Sequence, residues 1–189
     1  MTWTFCPECG EQLTKGEIEG RVRLVCSSCH FIDFGLYSLG AGGIVVKKDN
    51  GQRSVLLIQR NRSPGLHLWT IPGGYVEHDE TIEHGIVREI REETGLETEV
   101  IRMVGYRNHI ERGKNDSYVI FLMRPVSGQL IQTPNDEIAA IGFFTARELE
   151  ILDNLSETSR YLALLGLDYK GRGFTSVPIK DRPDIWVED

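Results

Sequence analysis

The sequence lacks long apolar runs and a secretory signal. Its longest apolar runs, residues 118–123 and 138–144, are far shorter than the roughly 20 residues that a transmembrane helix requires. Residues 1–10 contain neither a basic start nor an apolar stretch, so we expect a cytoplasmic protein with no membrane partner. With 40% hydrophobic and 26% charged residues, the composition excludes disorder as the main state.

Positive charge is scarce. The chain has 21 Lys and Arg residues against 28 Asp and Glu residues, a net charge of -7. Such a field repels polyanions, so nucleic acid is not an expected partner, and a phosphorylated ligand needs local cations. Nine of the acidic residues lie between Glu77 and Glu99, which favours bound divalent cations as that local charge. The length of 189 residues allows one catalytic domain of ordinary size and a small appendage.

Cysteine is confined to the first 29 residues, where it forms two Cys-x-x-Cys pairs. Cys6 and Cys9 form the first pair, Cys26 and Cys29 form the second, and 16 residues separate the pairs. Disulfides are disfavoured in a reducing cytosol, whereas four thiolates from two tight turns can surround one Zn²⁺ tetrahedrally. Gly10 follows the first pair, where such turns often need a positive φ. The spacing therefore predicts a zinc ribbon.

We expect the predicted ribbon, residues 1–36, to be a scaffold rather than a catalytic unit. Four thiolates leave no open position on the metal for catalysis, and zinc can fold a segment of about 35 residues that could not build a core alone. A ribbon that binds nucleic acid or a protein partner is the alternative. His30, beside Cys29, is interpreted as a bystander and not as a ligand.

The rest of the chain alternates strand-like and helical patterns, which predicts an α/β or α+β sandwich with a mixed sheet. A turn signal at residues 49–51 separates two β-rich runs, so these runs are expected to form a hairpin. Apolar residues recur every four positions from Ile82 to Ile90 and Gly95 follows, which predicts a helix over residues 81–94. Further strands are expected at residues 97–109, 117–125 and 137–144, helices at residues 145–152 and 156–165, and a hinge at residues 34–40.

The most informative stretch runs from Gly74 to Leu96. It has the pattern Gly, five residues, Glu, seven residues, then Arg-Glu-apolar-x-Glu-Glu-x-Gly-apolar, which fixes nine positions across 23 residues. Glu89, Glu92 and Glu93 stand at i, i+3 and i+4 of the predicted helix and project from one patch. Three clustered like charges repel one another, so the arrangement indicates hard divalent cations among the carboxylate oxygens. For the helix alone, a solvated Glu-rich face is the alternative.

This stretch resembles the Nudix box of the Nudix hydrolases, and every fixed position of the box is met. The resemblance covers residues 41–165 and implies an α/β/α sandwich with a mixed sheet, as a catalytic domain over residues 37–166. Members of the family hydrolyse nucleoside diphosphates linked to another moiety, with Mg²⁺ or Mn²⁺. By position, the resemblance implies metal ligands at Glu89, Glu92, Glu93 and the Gly73 carbonyl, orienting roles for Glu80 and Arg88, and a required turn at Gly74.

The reaction of that family requires cations next to an anionic pyrophosphate. Cations that bridge the pyrophosphate oxygens neutralise the developing charge and acidify a bound water for attack. The family accepts the proton with a glutamate of the helix or with one from a distant loop. Glu89 is our first candidate for the general base, and Glu137, at the start of a predicted strand, is the second.

The order of the motifs narrows the choice of substrate. NADH pyrophosphatases also place a zinc motif before the box, but their Ser-Gln-Pro-Trp sequence is replaced here by residues 106–109, so NADH specificity is not expected. Residues 69–75 and 118–122 resemble a zinc-ribbon subgroup associated with ADP-ribose and FAD pyrophosphatase activity, which predicts one of these substrates. Candidate residues for substrate binding, through stacking, polar groups or charge, are Arg60, Tyr75, Tyr106, His109 and Tyr118.

Three other functions are alternatives. They are a housecleaning pyrophosphatase for non-standard nucleoside triphosphates, an NADH pyrophosphatase, and a regulator that senses a ligand and binds nucleic acid through its ribbon. The intact box and the net acidity argue against the regulator. Because Nudix relatives frequently dimerise, the resemblance also allows a homodimer. Residues 167–189 are expected to form a C-terminal tail, for which the sequence indicates no role.

Overall fold

The computed structural model describes residues 3–111, 113–132, 134–171, 174–176 and 185–188. In chain order, the elements are β1 (Thr14–Ile18), β2 (Arg21–Val25), β3 (Leu36–Asp49), β4 (Gln52–Arg60), β5 (Trp69–Thr70), β6 (Gly73–Tyr75), α1 (Ile82–Thr94), β7 (Leu96–Glu111), β8 (Lys114–Gly128), β9 (Ile138–Phe144), α2 (Ala146–Ile151), α3 (Glu157–Leu167), β10 (Phe174–Ser176) and β11 (Ile185–Glu188). Within these ranges, no helix combines the length and the apolar composition that crossing a bilayer requires.

The N-terminal segment is a small antiparallel hairpin with its own core. β1 and β2 pair over their full length, and Cys6, Leu13 and Cys26 are buried together beside them. Gly10, with a φ of 77°, donates its backbone N–H to the Cys6 carbonyl at 2.9 Å. His30, with a φ of 64°, donates in the same way to the Cys26 carbonyl at 3.1 Å. Both cysteine turns therefore have the same backbone geometry, and the positive φ predicted at Gly10 is confirmed.

A mixed sheet forms the centre of the larger part of the molecule. β3 joins its two halves, because residues 36–45 pair in parallel with β8 and residues 46–49 pair in antiparallel with β4. β7 extends the first half through β8, and β5 and β9 extend the second half through β4. The predicted hairpin and mixed sheet are confirmed. The hinge expected at residues 34–40 is wrong from Leu36 onward, because pairing with β8 holds that stretch in the sheet.

α1 covers one face of this sheet. The Thr81 side chain caps its first turn by accepting a hydrogen bond from a backbone N–H, and Gly95 ends the helix with a left-handed φ of 80°. Ile86 and Ile90 are fully buried against residues of β3, β4 and β8. The helix predicted over residues 81–94 is therefore confirmed, with its apolar stripe facing the sheet.

α2 and α3 cover the opposite face. The Thr145 side chain accepts from the Glu148 backbone N–H, and the Glu148 carboxylate accepts from the Thr145 N–H at 2.7 Å, which is the predicted capping box. Ser156 caps α3, and Leu149 of α2 and Leu162 of α3 are buried against the sheet. Helices on both faces complete the expected α/β/α sandwich.

The segment after residue 166, expected as a tail, contains strands where the structure describes it. β11 pairs in antiparallel with β7, and β10 pairs with β11, so both strands extend the sheet beyond β7. Residues 172–173, 177–184 and 189 of this segment lie outside the described residues.

Candidate active site

The loop that runs from β6 to the start of α1, residues 73–81, lies against the carboxylates of α1 at its two glycines. Gly73 has a φ of 150°, and a Cβ there would clash with the Ala41 carbonyl oxygen. A Cβ on Gly74 would clash with the carboxylate of Glu89. Only glycine leaves room for the approach at both positions. Because β6 pairs with residues 40–42 of β3, the sheet holds this loop beside the helix.

Arg88 organises the carboxylates at the start of the site. Its Nε and Nη2 donate to the two oxygens of Glu80 at 3.1 and 2.6 Å, and Nη2 also donates to the Tyr75 carbonyl at 3.1 Å. Its Nη1 donates to Glu89 at 2.9 Å and to Glu92 at 3.2 Å. The bonds from Arg88 lower the pKa of Glu80 to about 2 and keep it ionised. One guanidinium thus joins the loop to the helix.

Glu89 and Glu93 lie where α1 faces the loop. The Gly73 backbone N–H donates to Glu93 Oε2 at 2.9 Å. Burial raises the pKa of Glu93 to about 8, against the effect of that N–H, and the charge of Glu89 adds to the rise. Burial also raises the pKa of Glu89. Ionising two neighbouring buried carboxylates costs free energy. A bound cation would stabilise their charged forms.

The α1 carboxylates have the chemistry that divalent cations need, but they do not form a compact cluster. Oxygen donors suit Mg²⁺ and Mn²⁺. The Glu92 side chain is 56% exposed and bonds Arg88. Over the described part of the chain, only the four cysteines place three or more His, Cys, Asp or Glu ligand atoms within 4.8 Å of one another. Glu89 and Glu93 are therefore the glutamates held against the loop, and Glu92 stands at its solvent side.

A cavity of about 540 Å³ opens in front of the loop. It is lined by Arg60, Tyr75 and Tyr118, three of the residues predicted to bind a substrate. Tyr75 is 61% exposed, and the Lys114 Nζ lies 5.5 Å from the centre of its ring. Burial raises the pKa of Tyr118, so its hydroxyl stays protonated. The cavity thus combines an arginine with two aromatic rings beside the α1 carboxylates.

The other two candidate binding residues do not line this cavity. Tyr106 pairs with Val119 of the core beneath α1, and its hydroxyl lies 3.1 Å from Ser117 Oγ. Since successive residues of a strand point to opposite faces, Tyr106 lies on the face away from the cavity. His109 pairs with Asp116 and shares the face of the cavity, but it lies outside the lining.

Glu137 lies in the loop before β9, whereas Glu89 lies on α1. Its carboxylate forms an ion pair with Arg62 at 2.5 Å, and its carbonyl accepts from the Asn61 N–H at 2.7 Å. Burial is the main cause that raises the pKa of Glu89 and of Glu93, and the negative charge of Glu137 is a smaller cause for both. Arg62 lines the cavity, so Glu137 is at its rim.

Sequence reasoning missed Asp116 and gave no role to Arg107. These residues form an ion pair at the wall of the cavity, and the Ser38 hydroxyl also donates to Asp116. Although burial opposes it, the bonds from Ser38 and Arg107 lower the pKa of Asp116. Strand alternation was the available signal, because Asp116 stands two residues before Tyr118 and therefore shares its face.

The four cysteines have the arrangement of a tetrahedral metal site. Their Sγ atoms all lie within 4.8 Å of one another, with Cys6 and Cys29 at 3.4 Å and Cys9 and Cys26 at 3.5 Å. Tetrahedral Zn–S bonds of about 2.3 Å separate sulfur atoms by about 3.8 Å, which fits these distances. Hydrogen bonds from the backbone of Cys29 and Ser28 lower the pKa of Cys26 to about 7. Against a backbone hydrogen bond from Phe31, the neighbouring thiols raise the pKa of Cys29 to about 12, so Cys26 forms a thiolate more readily than Cys29.

Comparison with known protein families gives two matches. Residues 37–165 match the NUDIX domain, and residues 4–34 match the zinc ribbon described as Nudix N-terminal. The first match covers the mixed sheet, α1 and the cavity, and the second covers the four cysteines.

Relatives and solved structures extend these matches. An ADP-ribose pyrophosphatase of Methanocaldococcus jannaschii is 33% identical over 56% of this chain and 60% of its own length. An ADP-ribose pyrophosphatase structure from Streptococcus suis is 27% identical, with a TM-score of 0.53 over 71% of this chain and 94% of that one. A NUDIX hydrolase structure from Nitrosomonas europaea shares the fold, with a TM-score of 0.66 at 24% identity over 88% and 92%. The chain spans 26% and 60% of the first curated relatives it matches.

Proposed function

Because the chain belongs to the NUDIX family of hydrolases, we propose that it cleaves the pyrophosphate bond of a nucleoside diphosphate derivative, ADP-ribose or FAD, with a divalent metal. The observation that carries this proposal is the pair Glu89 and Glu93, two partly buried carboxylates held against Gly73 and Gly74 beside an arginine-lined cavity. Similar proteins that are ADP-ribose pyrophosphatases support the choice of substrate.

The residues of α1 supply the ligands for Mg²⁺ or Mn²⁺ in this proposal. Glu89, Glu92 and Glu93 offer carboxylates, and the Gly73 carbonyl offers a further oxygen. Such ions neutralise phosphate charge and acidify a water. Arg88 holds Glu89 and Glu92 through Nη1, so it orients the ligands while remaining a positioning residue. Gly73 fixes Glu93 through its N–H.

Glu89 is the general base in the proposed reaction. A base works best when its pKa approaches the working pH, and burial raises the pKa of Glu89 in that direction. Glu137 is the second candidate, since its partner Arg62 lines the cavity; each candidate has an arginine partner, Arg88 for Glu89 and Arg62 for Glu137.

Arg60, Tyr75 and Tyr118 contact the substrate in this proposal. Arg60 lies close enough to the helix to oppose the raised pKa of Glu93, which places its charge near the phosphates. The exposed ring of Tyr75 offers a surface for stacking a base, and Tyr118, whose ring packs on Gly40 and Gly42, lines the same cavity. Tyr106 and His109, outside the lining, receive no role.

The ribbon serves as a zinc-folded scaffold in our proposal. Zn²⁺ held by Cys6, Cys9, Cys26 and Cys29 offers no open position for chemistry. We further propose that the protein acts in the cytoplasm on a small nucleotide, as a monomer or a homodimer, without nucleic acid or a membrane as partner.

A substrate screen tests the proposed function. The full-length protein is incubated with ADP-ribose, FAD, NADH, dinucleoside polyphosphates and nucleoside triphosphates, and phosphate release is measured after coupling to a phosphatase. We expect the highest kcat/KM with ADP-ribose or FAD, and loss of turnover when Mg²⁺ and Mn²⁺ are omitted. A triphosphate or NADH as the best substrate would point to one of the alternative pyrophosphatases. Absence of hydrolysis across the panel would contradict an enzymatic role.

A further inference from the structure

The charged residues around the cavity differ in whether a carboxylate neutralises them. Arg60 donates through Nε to the Pro64 carbonyl at 2.8 Å, and no carboxylate of the described residues pairs with it. Arg107 forms an ion pair with Asp116, so this pair has no net charge. The Arg60 part of the cavity therefore has a cation that no carboxylate neutralises, whereas the other part offers a carboxylate acceptor, Asp116, beside Arg107 and near Lys114.

Strand register separates these two parts. Gly42 pairs with Gly73, beside the α1 carboxylates, whereas Ser38 pairs with Asp116. Ser38 and Gly42 are four residues apart on β3, a span of about 13 Å in a strand. A nucleoside diphosphate derivative that has its phosphates at α1 and extends along β3 therefore brings its distal group to Asp116.

Between the two parts, the Tyr118 ring packs on the backbone of β3 at glycines, which have no side chain. A Cβ on Gly40 would lie 2.8 Å from the Tyr118 ring, and one on Gly42 would lie 2.7 Å from its hydroxyl. The ring therefore lies close against β3, and Arg107 lies 5.7 Å from its centre. Gly73, Tyr118 and Asp116 all line the same cavity, so one ligand can reach from the loop to Asp116.

The Asp116 carboxylate is fixed and retains capacity for a ligand. Ser38 donates to Oδ1 and Arg107 donates to Oδ2, from strands on either side of β8. A carboxylate has about four lone-pair sites, more than these two donors occupy. Its side chain is 27% exposed and lines the cavity. Such an acceptor binds hydroxyl or amino donors and repels a further anion.

We propose that Asp116 is a specificity-determining residue that accepts a hydrogen bond from an uncharged donor at the distal end of a nucleoside diphosphate derivative. The donor is a hydroxyl of the terminal sugar or the amino group of adenine. The inference rests on the proposed function for the identity of the ligand.

The test compares Asp116→Asn with the natural protein in binding three compounds. Dissociation constants for ADP-ribose, ATP and IDP-ribose are measured by calorimetry with Ca²⁺ in place of Mg²⁺ and Mn²⁺, after chromatography has shown that the compounds stay intact. The variant loses a charged acceptor and turns an amide toward Arg107, so we expect the Kd for ADP-ribose to rise about 10-fold or more. If the donor is a sugar hydroxyl, the rise disappears with ATP and persists with IDP-ribose. If it is the adenine amine, the rise disappears with IDP-ribose and persists with ATP.

Glu99→Gln is the matched control. Glu99 pairs with Arg124 across the same β7–β8 hairpin, at 2.6 Å, and lies outside the cavity lining, so its loss should leave all three constants unchanged. If Asp116→Asn does not fold by circular dichroism, Ser38→Ala replaces it, since it removes one of the two hydrogen bonds that fix the carboxylate in position. That variant should show the same selective loss, about threefold.

An unchanged Kd for ADP-ribose, or an equal loss for all three compounds, overturns the role of Asp116. If the natural protein does not bind ADP-ribose, both the inference and the proposed substrate fail. If it binds ADP-ribose and shows the selective loss but does not hydrolyse it with Mg²⁺, only the proposed function fails.

Discussion

The ribbon and α1 hold the groups that we propose to bind metal in different ways. In the ribbon, four sulfur atoms lie within 4.8 Å of one another, and their surroundings are two turns of the same geometry. On α1, Glu89 and Glu92 share one donor, Arg88 Nη1, and Glu93 accepts instead from the Gly73 N–H. The four sulfur atoms are already gathered around one point, whereas each α1 carboxylate is bonded to another group of the protein.

This difference matches two uses of a metal. Four thiolates that enclose an ion on every side replace a hydrophobic core and leave nothing open. Carboxylates that bond to protein groups can exchange those partners for cations, and the cations in turn bind ligand phosphates. We therefore expect ribbon variants to change folding and α1 variants to change turnover.

The largest effect is expected from Cys26→Ser. Structural zinc contributes about 10–16 kcal/mol of binding free energy in zinc-finger peptides, so loss of one thiolate should release the metal and unfold residues 4–34. Zinc content and amide hydrogen exchange of the ribbon measure this, while pyrophosphate hydrolysis should stay within about threefold. Ser27→Ala, in the same turn, should retain zinc. If the ribbon amides stay protected from hydrogen exchange without zinc, the ribbon does not need its metal to fold, and the proposed difference from α1 is wrong.

Glu93→Gln should lower turnover and leave the fold intact, which is the reverse of the effect expected from Cys26→Ser. The amide can still accept from the Gly73 N–H, so the fold should survive, but the loss of charge should lower kcat by about 100-fold or more. Steady-state kinetics with ADP-ribose and a melting curve give the two readouts. Glu83→Gln, on the exposed first turn of the same helix, should be unaffected. Turnover within threefold of the natural protein would exclude Glu93 from the reaction.

Local signals were sufficient for the ribbon and the helix. Cysteine spacing, the periodic isoleucines and the caps at Thr81, Gly95 and Thr145 depend on neighbours within a few residues, and the structure confirms the elements they predicted. Such features are encoded where they form, so a single sequence reveals them.

The part of the cavity formed by Ser38 and Asp116 was not predictable from such local signals. Ser38 and Asp116 are 78 residues apart, and only the β3–β8 register brings them together. Register shifts between β7 and β8 also decide which side chains share a face, and they placed Tyr106 opposite the cavity. Long-range pairing of this kind leaves no local pattern in the sequence.

Two glycine variants sharpen the comparison at smaller scale. Gly74→Ala places a methyl group against the Glu89 carboxylate, which should shift it and lower kcat about 10-fold or more with little change in stability.

Gly10→Ala meets no atom within 4 Å but forces alanine to a φ of 77°, which should cost the ribbon about 1–2 kcal/mol. Kinetics and zinc-competition titrations measure the two effects. Reduced turnover in Gly10→Ala would show that the ribbon supports the active site.

The smallest effect is expected from Glu80→Gln and depends on pH. Because bonds from Arg88 depress the pKa of Glu80 to about 2, its carboxylate stabilises the fold above the ordinary Glu pKa of about 4.3. This contribution should be lost as the pH falls from about 4.3 to 2. The difference in unfolding free energy between the natural protein and the variant, from urea titrations, should shrink over that range, while Glu83→Gln controls for removal of one charge. A difference that is constant with pH would mean that the charge of Glu80 does not stabilise the fold, and the bonds from Arg88 would then only orient its side chain.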